Sequence, residues 1–253
     1  MKIAVITGAS SGMGREFVVK LDKKHSFDEI WVIARRREKL EELQSETKAV
    51  IRPIVLDLQN RESIYEYQNL LESEKPEIEV LVNAAGFGHF GYFTEASMEK
   101  QLDIIELNDR ALVGITYTSI PYIKKGSQIY NLGSLSSFQP VPAINVYGAS
   151  KAFVLSFSRA LNVELKSKGI RVMAVCPGWV KTDFFDRAVT DDTISYYNRF
   201  YTSEQVVKRA IKDMKRKKDV SICGFPVRVQ VFFVKLLPHK LVMKVWCKQQ
   251  KLS

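Results

Sequence analysis

Seven short apolar runs recur along the chain, and segments of helical period lie between most of them. Near-continuous apolar runs are typical of strands buried on both faces, and strands that alternate with helices form parallel βαβ units. Right-handed crossovers build such units into a doubly wound α/β fold, whose ligands bind beyond the carboxyl ends of the strands. We therefore predict a single parallel sheet of about seven strands with helices on both faces. The runs are KIAVIT, EIWVIA, VIRPIVL, EIEVLVN, SQIYNLG, IRVMAVC and VSICG.

Length and composition favour one domain. The chain has 253 residues, of which 46% are hydrophobic, enough apolar material for one large core. We assign residues 1–224 to the α/β body and residues 225–253 to a basic amphipathic C-terminal extension of the same domain.

The distribution of charge argues against a nucleic-acid-binding domain. The formal net charge is +10, but residues 205–253 carry 13 Lys or Arg against two Asp, which is +11, so the first 204 residues sum to −1. A basic surface for nucleic acid would be expected on the body itself. The body is instead nearly neutral, and the excess of positive charge lies towards the C-terminus.

Several classes of site and location have no support in the sequence. Met1 leads directly into an apolar strand, without the pattern of a secretory signal. Three scattered cysteines suit a reducing compartment better than a disulfide framework. The three histidines lack zinc-ligand spacing. We expect a cytoplasmic protein without a metal site.

A glycine-rich loop, TGASSGMG, joins the first strand to the first helix. In that context Gly8 allows a tight turn, Gly12 a close approach of backbone to a pyrophosphate, and Gly14 close packing of helix on sheet. The helix N-terminus adds free N–H groups and partial positive charge. The sequence therefore predicts a phosphate site here, with a plain turn of small residues as the alternative.

Five motifs, read together with this loop, resemble the short-chain dehydrogenase/reductase family over most of residues 1–224. Besides TGASSGMG, NAAG (83–86) resembles its fourth-strand motif, YGASK (147–151) its catalytic signature and PGWVKT (177–182) the segment beside the nicotinamide. Ser134 and Asn108 stand at the positions of its catalytic serine and asparagine. The resemblance implies a nicotinamide-dependent oxidoreductase that interconverts a carbonyl and an alcohol, with the catalytic tetrad Asn108, Ser134, Tyr147 and Lys151.

The chemistry of that reaction accounts for the pair Tyr147 and Lys151. Hydride transfer to a ketone builds charge on the carbonyl oxygen, so a proton donor must stand within hydrogen-bond reach. A free phenol titrates near pH 10, and a lysine one helical turn away favours the phenolate. The resemblance implies further that Lys151 bonds the nicotinamide ribose, Ser134 holds the substrate carbonyl and Asn108 anchors a relay water. The alternative is an amphipathic helix with a snorkelling lysine.

The second strand points to NADP as the cofactor. An NAD site places Asp or Glu at its end, whereas here Ala34 is followed by Arg35, Arg36 and Arg37. A guanidinium suits a 2′-phosphate, and the resemblance favours Arg35 as its partner, with Arg37 and Arg36 open to interpretation as a solvated helix start. NADP relatives often carry a basic residue where this chain has Ser11.

The resemblance also implies which residues contact the dinucleotide. One of them, Asp57, is placed near the adenine, with a helix N-cap as the alternative interpretation. The set is Gly8, Ser10, Ser11, Gly12, Met13, Arg35, Asp57, Leu58, Asn83, Ala84, Gly86, Tyr147, Lys151, Pro177, Gly178, Val180 and Thr182.

Residues 183–202 correspond to the variable substrate lid and are rich in aromatic side chains. Those side chains indicate a bulky apolar substrate or, equally, an aromatic lid packed on itself. Residues 86–93 are expected to line the other side of the pocket, with His89 at its edge and not a catalyst. The resemblance implies a homodimer or homotetramer formed through helices around residues 97–123 and 146–168.

The C-terminal extension leaves two interpretations open. Its apolar stretch is too short and too often interrupted to cross a bilayer. It predicts either a helix pair packed near the cleft or on a second subunit, or a basic amphipathic surface lying on an anionic membrane. The second interpretation gives one competing function, a peripheral membrane reductase of lipid ketones. The other is a catalytically silent nucleotide-binding sensor or scaffold, which would keep the glycine loop but do no chemistry.

Overall fold

Seven parallel strands form the central sheet of the computed structural model, in the order β3-β2-β1-β4-β5-β6-β9. The structure describes residues 1–189 and 191–252; Thr190 of the expected lid and Ser253 of the extension lie outside them. A two-stranded parallel ribbon, β7 with β8, lies apart from the sheet. The strands are β1 (Lys2–Thr7), β2 (Glu29–Ala34), β3 (Val50–Val55), β4 (Glu77–Asn83), β5 (Ile123–Leu132), β6 (Arg171–Val175), β7 (Trp179–Val180), β8 (Phe200–Tyr201) and β9 (Val220–Ser221).

Helices connect the strands and cover both faces of the sheet, so the predicted doubly wound α/β fold is confirmed. The helices are α1 (Gly12–Asp22), α2 (Arg37–Glu41), α3 (Glu62–Glu74), α4 (Met98–Ile105), α5 (Ala111–Ser119), α6 (Asn145–Glu164), α7 (Asp183–Ala188), α8 (Ser203–Lys215), α9 (Phe225–Leu236) and α10 (His239–Gln250). In the described ranges, no helix has the length and apolar character needed to cross a membrane.

Strand side chains alternate between two apolar layers, as the two-residue period of a strand requires. Ala4 and Ile6 of β1 belong to the layer that includes helices α1 and α8, whereas Ile3 and Val5 belong to the layer that includes α3, α5 and α6. All four side chains are fully buried. Burial on both faces explains why the strands are apolar without interruption.

Two predicted strands differ clearly from the observed ones, and the first is the interior strand β5, which begins four residues before the run SQIYNLG. The run VSICG forms only the two-residue strand β9, which pairs with β6 and lies at the edge. Strand β3 lies at the opposite edge and contains Pro53. Proline lacks a donor for the ladder, and an edge strand tolerates it.

The helical region around residues 97–123 is not α-helical throughout. Between α4 and α5 the chain forms a π-helical turn over Glu106–Arg110. This wider turn places Asn108 in the interior, where only 1% of its surface is exposed. Such turns occur mainly as single interruptions of α-helices, often at functional sites.

Candidate active site

A cleft of about 460 Å³ opens at the carboxyl ends of the central strands. It lies where the chain order in the sheet reverses between β1 and β4, the position at which doubly wound folds bind their ligands. Of the residues that the sequence analysis assigns to the site, all but Asn83 and Asn108 line this cleft. They are Gly8, Ser10, Ser11, Gly12, Met13, Arg35, Asp57, Leu58, Ala84, Gly86, Ser134, Tyr147, Lys151, Pro177, Gly178, Val180 and Thr182.

The glycine loop fits a dinucleotide phosphate. Gly8 adopts a left-handed φ of +66°, and a Cβ there would lie 2.7 Å from the Ala84 backbone. The loop therefore packs directly against the end of β4. Helix α1 begins at Gly12, and its N-cap residue Ser11 makes no side-chain cap hydrogen bond. The N-terminus of an 11-residue helix thus faces the cleft with N–H groups that Ser11 does not satisfy.

Thr7 fixes the geometry between the glycine loop and the NAAG segment. Its Oγ1 accepts hydrogen bonds from the backbone N–H groups of Ala84 and Ala85, both at 3.1 Å. Because Thr7 ends β1 and Ala84 follows β4, these bonds hold the two sides of the switch point together. The resemblance drew attention to NAAG as cofactor-binding, but not to Thr7 as its support.

Two arginines line the end of the cleft beyond β2. Arg35 lies near Asp57, with 3.8 Å between Nη1 and Oδ2, and donates to Gln59 Oε1 at 3.4 Å. Arg36 also lines the cleft and donates to Ser10 Oγ at 3.1 Å. It therefore places a positive charge at the glycine loop, where this chain has Ser11 in place of a basic residue. Arg37 begins α2 and pairs with Glu41 on the surface. Arg36 and Arg37 both fit the interpretation as a solvated helix start, since Arg36 is the exposed N-cap residue of α2, but Arg36 lines the cleft as well.

Asp57 is not a helix N-cap. Helix α3 begins at Glu62, with Arg61 in the cap position. The Asp57 carboxylate instead accepts a hydrogen bond of 3.1 Å from the Gln59 N–H in the turn after β3. This turn keeps the carboxylate at the cleft beside Arg35.

Tyr147, Lys151 and Ser134 meet at one point of the cleft. The Lys151 Nζ lies 5.6 Å from the Tyr147 ring centroid and donates to the Leu132 carbonyl at 2.9 Å. Ser134 follows β5, and its N–H donates to Ser137 Oγ, which in turn donates to the Lys151 carbonyl at 2.7 Å. These bonds tie the serine turn to helix α6, which carries the tyrosine and the lysine.

Burial has the largest effect on the pKa values of Tyr147 and Lys151. It raises the pKa of Tyr147 to about 12, with the Ser134 hydroxyl opposing it, and lowers the pKa of Lys151 to about 8. We expected Lys151 to favour the phenolate, but its amine is directed at the Leu132 carbonyl, and desolvation of the phenol is the larger effect.

Asp109, in the π-helical turn, is the acidic neighbour of Lys151. Burial raises the pKa of the Asp109 carboxyl to about 7, and the charge of Lys151 opposes that shift. Its Oδ1 is buried and has no hydrogen-bond partner in the part of the chain that the structure describes. The carboxylate in turn raises the pKa of Lys151 against the effect of burial. Sequence analysis missed this residue because nothing in the local pattern marks it.

Asn83 and Asn108 do not line the cleft, but their hydrogen bonds hold the segments around it. The Asn83 amide donates to Thr116 Oγ1 at 3.0 Å and Asn131 Oδ1 at 2.9 Å, which joins β4 to α5 and β5. The Asn108 side chain accepts from the Phe87 N–H and donates to the Phe87 carbonyl, both at 3.0 Å. It also donates to Ser150 Oγ of α6. Asn108 therefore fixes the 86–93 loop to α6.

The 86–93 loop reaches Tyr147. A Cβ at Gly88 would lie 2.8 Å from Tyr147 Cδ2, so only glycine permits this approach. Phe90 packs edge-on to Tyr147 with 5.9 Å between ring centroids and lines the cleft. His89 is buried, and among the described residues neither ring nitrogen has a hydrogen-bond partner; burial lowers its pKa. It does not belong to the cleft lining, so the expected pocket-edge position is wrong.

The aromatic side chains of the lid serve two purposes. Phe184, Phe185 and Tyr196 line the cleft, with the Phe184 ring centroid 5.5 Å from that of Tyr147. Tyr197 and Phe200 instead pack against Phe185 at 5.1 and 5.2 Å. Some aromatic side chains of the lid therefore line the cleft, and others pack within the lid. The part of the cleft beside Tyr147 is aromatic and apolar.

Helices α9 and α10 form one wall of the cleft, to which they contribute Gln230, Trp246 and Gln249. The Trp246 Nε1 donates to the Pro142 carbonyl at 3.0 Å. Gln250 accepts from the N–H groups of Ser195 and Tyr196, which fastens the helix to the lid. Packing near the cleft, one of the two interpretations of the extension, agrees with these contacts.

The three cysteines are free thiols in different surroundings. Cys176 is buried behind the turn that contains Ser134 and Ser137, and burial raises its pKa to about 12. Cys223 is also buried, and burial raises its pKa. Cys247 lies on α10 and is partly exposed. Among residues 1–189 and 191–252, no group of three His, Cys, Asp or Glu side chains is placed to hold a metal ion.

Comparison with known proteins agrees with this geometry. The family profile described as short chain dehydrogenase matches residues 2–193. The very-long-chain 3-oxoacyl-CoA reductase of Anas platyrhynchos is 31% identical over 98% of this chain and 80% of its own length.

Two solved structures have the same fold. A short-chain dehydrogenase from Sphingobium yanoikuyae, in complex with NADPH, gives a TM-score of 0.77 at 28% identity and covers 88% of this chain and 87% of that one. The bulky-bulky ketone specific alcohol dehydrogenase from Comamonas testosteroni gives 0.72 at 28% identity and covers 88% and 86%.

Proposed function

The chain belongs to the short-chain dehydrogenase/reductase family of oxidoreductases, and from that premise we propose that it reduces a bulky apolar carbonyl compound to an alcohol, reversibly, with NADPH. The observation that carries the proposal is the convergence of Ser134, Tyr147 and Lys151 at the aromatic part of one cleft. The bound dinucleotide supplies the hydride when the carbonyl is reduced.

Tyr147 is the proton donor of the proposed reaction. Its buried phenol keeps its proton through neutral pH, because burial holds its pKa near 12. Negative charge that develops on the carbonyl oxygen draws this proton, and the Ser134 hydroxyl shares the same oxygen as a second donor. In alcohol oxidation the same phenol oxygen takes the proton back.

Lys151 supports the proton transfer through its charge. As the phenol gives up its proton, negative charge grows on the tyrosine oxygen, and a nearby ammonium stabilises it. Fixation of the lysine amine to the Leu132 carbonyl holds it beside the tyrosine ring. Asp109 helps to keep this amine protonated.

NADP rather than NAD is the proposed cofactor. Arg35 and Arg36 both line the cleft beyond β2, and β2 itself ends in Ala34 where an NAD site needs a carboxylate. Two guanidinium groups at this end of the cleft suit a 2′-phosphate. The neighbouring Asp57 carboxylate pairs with Arg35 and is placed to orient it.

A bulky apolar substrate fits the lining of the cleft. Phe90, Trp179, Phe184 and Trp246 surround the approach to Tyr147. Two of the proteins that this chain resembles are described as a very-long-chain 3-oxoacyl-CoA reductase and a bulky-bulky ketone specific alcohol dehydrogenase. Both descriptions agree with a preference for large carbonyl compounds.

NADPH consumption by the purified chain tests the proposal. Ketones and aldehydes graded from small and polar to long-chain and polycyclic are compared, with NADH as the alternative cofactor. We expect turnover to rise with apolar size and Tyr147→Phe to lower kcat at least a thousandfold while NADPH fluorescence still reports binding. Binding of NADPH without turnover of any carbonyl would favour the catalytically silent sensor.

A further inference from the structure

The outward side of α9 is apolar along its whole length. Its exposed apolar side chains recur at helical spacing, whereas Val227, Val231 and Val234 on the opposite side are buried. Phe232 and Phe233 expose 61% and 54% of their surface, and neither lines the cleft. We call this set the C-terminal face: Phe225, Val229, Phe232, Phe233 and Leu236. A stripe of this kind on a surface helix marks an interaction site.

Helix α10 continues the exposed apolar surface and borders it with positive charge. Leu241 and Val245 expose 45% and 49% of their surface, and the exposed residues Lys240, Lys244 and Lys248 stand one position before or three after them. Residues 225–252 contain six Lys or Arg and no Asp or Glu, which gives +6. Apolar side chains flanked by lysines are the composition of helices that lie in a membrane interface.

We propose that the C-terminal face docks onto the surface of an anionic lipid bilayer. Insertion of the exposed phenylalanines removes apolar surface from water, and the lysines approach the headgroups. Each basic residue near an anionic surface strengthens binding about fivefold. A second copy of the chain is a poorer occupant, because a two-fold contact would bring six cations against six without a compensating acid.

Docking would hold one wall of the cleft at the bilayer. Gln230 belongs to α9 and Trp246 to α10, and both line the cleft. An apolar carbonyl compound dissolved in lipid would therefore meet the cleft at the surface where it is concentrated. This last step rests on the proposed function, whereas docking itself does not, since vesicle binding is measured without turnover.

Vesicle flotation of the full chain tests the docking. Vesicles of phosphatidylcholine alone are compared with vesicles that also contain phosphatidylglycerol, at low and high salt. We expect flotation with the anionic vesicles that weakens as salt screens the lysines. The double variant Phe232→Ser/Phe233→Ser should bind at least tenfold more weakly, and Tyr65→Ser, an equally exposed aromatic on α3, should bind as the intact chain does.

A second variant tests the charge without touching the apolar side chains. Lys240→Gln/Lys244→Gln/Lys248→Gln should also float at least tenfold less. The proposal is overturned if the intact chain stays unbound with anionic vesicles, or if the Phe232→Ser/Phe233→Ser variant floats like the intact chain. It is also overturned if the intact chain does not float and the Phe232→Ser/Phe233→Ser variant sediments as a smaller particle than the intact chain. That result would mean that a second copy covers the C-terminal face.

Turnover separates this inference from the proposed reaction. We expect Phe232→Ser/Phe233→Ser to slow reduction of a vesicle-borne long-chain ketone and to leave that of a small soluble ketone unchanged. Loss of vesicle binding without either rate changing would overturn delivery from the bilayer. Absence of turnover with both substrates in every variant would instead refute the proposed function.

Discussion

Burial disfavours the charged form of Lys151. A lysine whose pKa falls from 10.5 to about 8 on burial destabilises the fold, because the folded chain binds the lysine proton more weakly than the unfolded chain does. The penalty is complete below pH 8 and vanishes above pH 10.5. Its hydrogen bond to the Leu132 carbonyl offsets part of it.

We therefore predict that Lys151→Met stabilises the chain at pH 7 while it abolishes turnover. Removal of the buried charge should raise the free energy of unfolding by about 1–2 kcal/mol after the lost hydrogen bond is subtracted. Urea unfolding at pH 7 and at pH 10.5 measures this, and the gain should disappear at the higher pH. Lys166→Met, at an exposed position, is the control. A less stable Lys151→Met at pH 7 would contradict the dominance of burial.

Asp109 gives a prediction about the pH dependence of reduction. Its carboxylate favours the charged form of Lys151, so Asp109→Asn should lower the lysine pKa further. The ammonium is then lost at lower pH, and the fall in carbonyl reduction on the alkaline side should shift downwards. Initial rates against pH measure the shift. The exposed Asp103→Asn on α4 serves as control, and coincident profiles for Asp109→Asn and the unaltered chain would refute the link.

Single residues were predictable where a motif fixes their spacing. Ser134, Tyr147 and Lys151 line the cleft because β5 and α6 bring their ends to the same edge of the sheet. Arg36 and Trp246 belong to no such pattern, and only folding brings them to the cleft. Asn83 fits a motif, yet its amide is used to join strands to a helix. A motif predicts position better than it predicts contacts.

At the scale of elements, continuous apolar runs predicted the strands well, because burial on both faces leaves no other pattern. Helices were harder to delimit. The π-helical turn after Ile105 widens the helix by one residue without changing the apolar period that sequence analysis detects. Helix α7 of the lid is six residues long and too short to show a period.

The edge strand β9 depends on one buried acid of α8. Asp213 Oδ2 accepts hydrogen bonds from Arg209 Nε at 2.7 Å and from Ser221 Oγ of β9 at 3.0 Å. We predict that Asp213→Ala lowers the free energy of unfolding by about 2–4 kcal/mol, since it leaves these donors without a partner.

Asp219→Ala is the matched comparison, because Asp219 immediately precedes β9 and pairs with Arg159 at an exposed position. That change should cost about 0–1 kcal/mol. Urea denaturation of both variants measures the difference. Equal losses would mean that Asp213 does not anchor the strand.

At the scale of the whole molecule, helices α5 and α6 expose apolar side chains away from the cleft. Tyr117 is 77% exposed and Phe153 is 42% exposed, and both lie in the regions expected to join subunits. We predict a homodimer or homotetramer that Tyr117→Asp/Phe153→Asp dissociates. Sedimentation velocity measures the particle size, with Tyr65→Asp on α3 as control. A monomeric unaltered chain would contradict the prediction.

The unequal surroundings of the three thiols have a practical consequence for spectroscopy. Cys176 and Cys223 are buried with raised pKa values, whereas Cys247 is partly exposed on α10. A maleimide dye at neutral pH should therefore couple at Cys247 without removal of the other cysteines. Its emission would report the polarity beside the C-terminal helices in real time, so the unaltered chain can act as its own fluorescent probe.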